Sequence, residues 1–198
     1  MRRVVKLFVM VMVVSAMIGC SASSKFMKKE SADSIKASGG TSKVIFYRVS
    51  SLAKGIAPVI ITSEGKYLGE ALPKSQYAVT LPAGKYTFTA WSEATHTMKA
   101  NLKAGKTYFV RVGVNMGAWS ARFNPVPVKP GTEDWKIMEK DIKKCEYYSV
   151  DFEGGQKKMV DSRKPEDVKS VIAKGEKRWS EYPAEEQKER TLNPEDGI

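Results

Sequence analysis

Apolar and polar positions alternate through residues 43–114 with few breaks. Lys43–Val49 (KVIFYRV) reads as a first strand, and Val59–Thr62, Tyr67–Leu72 and Tyr77–Leu81 come after it. Two turns then use the same punctuation, Leu81-Pro82-Ala83-Gly84-Lys85 and Leu102-Lys103-Ala104-Gly105-Lys106. Each ends one strand, offers a glycine free to take positive φ and opens another strand. After the first turn Tyr86, Phe88 and Ala90 share a face; after the second Tyr108, Val110, Val112 and Val114 do. A period of two with β-branched and aromatic residues predicts half-buried antiparallel strands. A last strand falls around Trp119–Phe123, and Pro125, Pro127 and Pro130 confine the segment beyond it to an edge. About eight short strands predict a mainly β fold of the sandwich class over residues 41–128.

Residues 129–198 differ in kind and predict a C-terminal extension with two helices. Thr132 is placed to cap a helix with Glu133 and Asp134 in its first turn and Lys143 and Lys144 at its end. Trp135, Met138, Ile142 and Cys145 then share one face. Glu146–Phe152 reads as a strand ended by Gly154-Gly155, and Pro165 opens a second helix with Val168, Val171, Ile172 and Trp179 on one stripe. From Pro183 the composition turns polar and charged, which predicts a frayed end.

Residues 1–19 read as a signal peptide. Arg2, Arg3 and Lys6 precede the apolar run Leu7–Ile18, which is too short to span a bilayer. The run ends in Met17-Ile18-Gly19-Cys20, which resembles the lipobox of bacterial lipoproteins. The resemblance implies cleavage after Gly19, a diacylglyceryl thioether on Cys20 and N-acylation of the new terminus, so that the partner is a membrane held through a lipid anchor. Ser21 rather than Asp after the cysteine implies, by the same resemblance, the outer membrane facing the periplasm. An ordinary secretory signal with a chance cysteine is the alternative. Residues 20–42 are then the lipidated cysteine and a flexible tether rich in Ser, Gly and Lys, with a mean reach of roughly 25 Å. Phe26 and Met27, beside Lys25, Lys28 and Lys29, are candidates for touching the bilayer surface, against a solvated tether as the other reading.

A second resemblance rests on ordered pieces: Phe46-Tyr47-Arg48, Gly65-Lys66 with Leu68-Gly69, Leu81–Tyr86 and Ala104–Arg111. Together they resemble a β-domain family of bacterial lipoproteins of unknown function that borders on the PEGA-type repeats. That implies an immunoglobulin-like antiparallel β-sandwich in the envelope and brings no catalytic or ligand residues.

Charge is segregated along the 198 residues, whose total is +11. Residues 41–130 hold twelve Lys and Arg against three Glu, while residues 131–198 hold fourteen against seventeen acidic groups. Two expectations arise: contact of the basic part with an anionic lipid or polymer surface, or docking of the acidic tail on it. Nucleic acid is not expected as a partner in an envelope setting. Two cysteines give no disulfide framework, and with His96 as the one histidine a Cys/His zinc site is excluded. No cofactor is implied. Ala100–Thr107 falls short of a phosphate-binding loop because Ala100 stands where glycine is needed and a strand comes after the lysine. Ser51-Leu52-Ala53-Lys54 matches a Ser-x-x-Lys motif without its companions, and His96 falls in what reads as an exposed connection. Catalytic residues are therefore assigned to none. A non-enzymatic envelope binding or scaffold module is the leading reading. A cell-wall hydrolase or modifying enzyme using carboxylates of the C-terminal region, with Asp151 and Glu153 as candidates, is the alternative; Glu64 and Glu70 lie on opposite sides of one short strand and do not suit a facing pair.

Overall fold

The computed structural model describes residues 21–198 apart from Ser34, Ala118, Trp119, Arg163 and Lys164. The alternating segments become β2 (Thr41–Arg48), β3 (Val59–Thr62), β4 (Tyr67–Glu70), β5 (Ser75–Pro82), β6 (Gly84–Trp91), β7 (Thr95–Leu102), β8 (Thr107–Met116) and β9 (Ala121–Val128). A short β1 (Met27–Glu30) precedes them. After them come α1 (Glu133–Asp141), β10 (Glu146–Val150), α2 (Phe152–Ser162), α3 (Pro165–Glu181), α4 (Ala184–Glu189) and β11 (Thr191–Leu192).

Pairing is where the structure departs from the sequence reading. One sheet has the order β1-β10-β5-β2-β8-β9 and the other β11-β7-β6-β3-β4. β2 is antiparallel to β5 but parallel to β8, β10 is parallel to β5, and β11 is parallel to β7. The expected mainly β, immunoglobulin-like antiparallel sandwich is thus overturned. The chain is a mixed α/β fold with two separate, partly parallel sheets and a substantial helical region. The cause lies in the route of the chain. Between β2 and β8 it lays down β3, β4, β6 and β7 of the other sheet, then returns beside β2 in the same direction. The two repeated turns close no hairpin: they hand the chain from one sheet to the other, β5 to β6 and β7 to β8, and nothing local in them names the distant strand that each lies beside.

The faces, by contrast, obey the alternation. Val44, Phe46, Val79, Leu81, Tyr108, Val110, Val112 and Phe123 of one sheet meet Ile60, Leu68, Phe88, Ala90, Met98, Ala100 and Leu102 of the other in a single core. Phe88 stands edge-on to Phe46, with ring centroids 5.3 Å apart. Pro125 and Pro127 lie in β9 at the edge of its sheet, where a missing N–H costs no ladder bond.

Helices cover both outer faces. The Thr132 side chain accepts from Trp135 N at 3.3 Å and starts α1. Met138 and Cys145 then pack, with Trp135 and Ile142, on Tyr47 and Val128. On the other sheet Met159 of α2 and Val171 of α3 close over Ile61, Tyr67 and Trp91, with Val168 and Ile172 beside them. Gly154 and Gly155 do not end β10; they lie inside α2, whose first turn is capped by Asp151 Oδ1 accepting from Gly154 N at 2.9 Å. A Cβ on Gly155 would sit 2.2 Å from Cε1 of Tyr67, so glycine is what lets the helix approach β4.

Both ends of the described chain are more ordered than composition predicts. Within the expected tether, β1 pairs antiparallel with β10, Met27 is buried in the core, and Ala22 N donates to Lys54 O at 2.6 Å. The expected frayed end is likewise corrected. α4 leads into β11, Leu192 is fully buried, and Ile198 exchanges two backbone hydrogen bonds with Thr107, at 2.8 and 3.0 Å. Two apolar residues and a free ladder edge outweigh a charged composition, because composition measures only how much of a segment stays wet. Docking also pairs the opposite charges: Arg111 with Asp134 at 3.1 Å, Lys99 with Glu176 at 3.3 Å, Lys29 with Glu146 at 2.6 Å and Lys129 with Asp196 at 4.0 Å.

Candidate functional site

The outer face of the β8–β9 hairpin alternates Phe109, Arg111, Gly113 and Asn115 opposite Val128, Val126, Asn124 and Arg122. α1 covers the Phe109 end, where Trp135 stands edge-on to Phe109 at 5.4 Å. Beyond that helix the face is open. Two hollows of about 400 and 640 Å³ share Val126 and Arg190 and form one groove between the hairpin, α1 and α4. Its floor is Gly113, where an added Cβ would come no nearer than 3.7 Å to any atom. The glycine therefore keeps space free without being forced by packing.

Several of the groove's charges are held in pairs. Arg111 reaches Asp134 at 3.1 Å, and Asp141 takes Lys144 at 2.6 Å. Arg190 Nε donates to Glu186 Oε1 at 2.8 Å while its guanidinium lies 4.5 Å from the centre of the Tyr182 ring. Asn124 is different. It is only 9% exposed and lines the groove beside Gly113, and among the described residues no partner engages its side-chain amide. A buried amide open on one side to a groove offers a donor and an acceptor to whatever enters. Fixed charges, a bare floor and one free amide suit the orientation of an extended polar ligand. Sequence reading missed this site because its parts come from β8, β9, α1 and α4, and no single segment carries a motif.

The residues singled out from sequence fall elsewhere. Gly19 and Cys20 lie outside the described residues. His96 is not on an exposed connection: it sits in β7, 8% exposed, with Nη1 of Arg178 at 3.0 Å from Nε2 and 3.2 Å from Nδ1. Burial, with Arg178, Arg190 and Arg122 nearby, pushes its pKa down to about 4. Asp151 is spent on capping α2, Glu70 meets the Tyr67 hydroxyl at 3.4 Å, and Glu64 closes its own turn through Thr62 at 3.1 Å. Cys145 is buried, its thiol pushed up to about 11 chiefly by desolvation. Burial also holds the Tyr47 and Tyr67 hydroxyls well above the usual phenol range.

His96 makes stability depend on pH. The unfolded imidazole takes a proton near 6.5, the folded one only near 4. Between these values the unfolded chain binds more protons, so acid favours it. Stability is expected to hold above pH 6.5 and to fall as pH drops toward 4. His96→Gln should flatten that slope in urea titrations; an unchanged slope would assign it to other groups.

No protein-family model matches the chain, no curated protein is significantly similar to it, and no solved structure matches it significantly.

Proposed function

We propose that this chain is a lipid-anchored lipoprotein of the bacterial envelope, held at the outer membrane and facing the periplasm, and that it acts as a non-enzymatic binding or scaffold module. The observation that carries the anchor is the apolar run ending in Gly19-Cys20, resembling a lipobox. Three acyl chains make a stable anchor where one does not. The groove over Gly113 and Asn124 is the surface by which the module engages another component of the envelope. Its paired charges and free amide orient a ligand and fix its register.

Cys20→Ser is expected to abolish incorporation of labelled palmitate and leave uncleaved precursor, while the wild-type protein stays on membranes through a high-salt wash. Palmitate retained on the serine variant, or wild-type protein released by salt, sinks the anchor. For the groove, a photo-crosslinking residue at Asn115 is expected to give a discrete envelope adduct that Gly113→Val, filling the floor, removes. An adduct indifferent to Gly113→Val places the contact elsewhere.

A further inference from the structure

A domain on a free tether would tumble about its anchor, but this one is seated. Ala22 is hydrogen-bonded to Lys54 at 2.6 Å, so Ser21 is all that separates Cys20 from the packed body. Two residues span at most about 7 Å. That is within the Debye length of about 8 Å at physiological salt, whereas a tether of roughly 25 Å reaches far beyond it.

What surrounds Ala22 therefore decides what faces the bilayer. Loop 50–57 carries Lys54 and Leu52, whose side chain is left 47% exposed. The loop is rigid, because the buried Arg48 donates to the carbonyls of Leu52, Ala53 and Ile56 at 2.7, 3.1 and 2.6 Å. Ala53 is held at φ +51°, a conformation that a side-chain-bearing residue keeps only when its surroundings impose it. Alongside, Lys25 lies 5.2 Å from the centre of the Phe26 ring, and Lys158 of α2 lines the same hollow as Ser23, Ser24 and Phe26. Glu70 lines that hollow too and meets the Tyr67 hydroxyl. The other lysine-rich turn, Lys103–Lys106, lies at the far end of β2, where Gly105 N donates to Thr41 O at 2.8 Å. Eight strand residues put it about 26 Å from the Arg48 end. Lys54 therefore lies beside the anchor, and the Lys103–Lys106 turn lies away from it.

We infer that loop 50–57, with Lys25, Phe26 and Lys158, is a bilayer-facing surface that rests on anionic phospholipid headgroups, fixing the orientation of the domain. Leu52 supplies an apolar side chain at the interface and the lysines supply charge. This rests on the lipid-anchor reading above.

The test uses the full acylated protein in phosphatidylcholine vesicles with and without phosphatidylglycerol. A fluorophore is placed on Ser51→Cys or on Lys103→Cys, Cys145 being buried and Cys20 blocked by its thioether. Quenching by shallow spin-labelled lipid is expected to be severalfold stronger at position 51 than at 103 in anionic vesicles. Salt, or Lys25→Glu with Lys54→Glu, should erase the difference without changing Tm. Equal quenching at both positions, or stronger quenching at 103, overturns the orientation. A difference that ignores phosphatidylglycerol and salt overturns the headgroup contact. Palmitate on Cys20 is measured in the same preparation. Its absence overturns the anchor and the orientation together, while its presence with equal quenching overturns the orientation alone.

Discussion

Arg48→Met is expected to destabilise the protein by about 3–5 kcal/mol, read as a lower urea midpoint with an unchanged slope. The side chain is fully buried at the end of β2, yet among the described residues no carboxylate pairs with it. Its charge is met instead by four carbonyls, those of Leu52, Ala53, Ile56 and Ala71, and by the Phe123 ring 4.9 Å away. Desolvation lowers its pKa to about 10, so it remains a cation at neutral pH. Methionine fills similar space but leaves those carbonyls without donors, at roughly 1–3 kcal/mol for each that stays buried. Partial relaxation of the loop toward water keeps the total below their sum. Arg48→Lys should fall between, since one ammonium cannot present two forked nitrogens to four acceptors. A melting temperature unchanged in Arg48→Met would mean the loop holds itself.

Phe88→Ala is expected to cost about 3–5 kcal/mol, the range for deleting a fully buried aromatic ring between rigid layers. Phe88 has no exposed surface, stands edge-on to Phe46 and stacks on Tyr86 at 5.9 Å. The cavity would open between two hydrogen-bonded sheets, which collapse poorly. Thermal unfolding reads it directly, and a shift of less than about a degree would mean that Phe88 does not sit between them.

Strand faces were legible because alternation is a local property. The inward set Phe88, Ala90, Tyr108, Val110 and Val112 and the helix face Trp135, Met138, Ile142 and Cys145 lie where spacing places them. Strand partners were not legible. Nothing in KVIFYRV states that Lys43 aligns with Thr107 in parallel. His96 misled because its neighbours Glu93-Ala94-Thr95 read as a loop, while Arg178, far along the chain, closes over it. Gly154-Gly155 read as a stop because the flexibility of glycine is visible in sequence and the Tyr67 ring against which it packs is not. The groove was invisible for the same reason: Asn124 and Gly113 are ordinary residues until β8 and β9 put them side by side.

The pairing of Ile198 with Thr107, and of Leu192 with Ala100, has a consequence for biosynthesis. Lys106 and Gly197, also in contact, are 91 residues apart in the chain. At about 5–20 residues per second, ribosomal synthesis leaves β7 and β8 without these neighbours for roughly 5–20 s, while a hairpin forms in about 1–10 µs. For that interval the nascent chain exposes an open edge on β7 and a core lacking Leu192. It is a long window of vulnerability to aggregation before the fold closes.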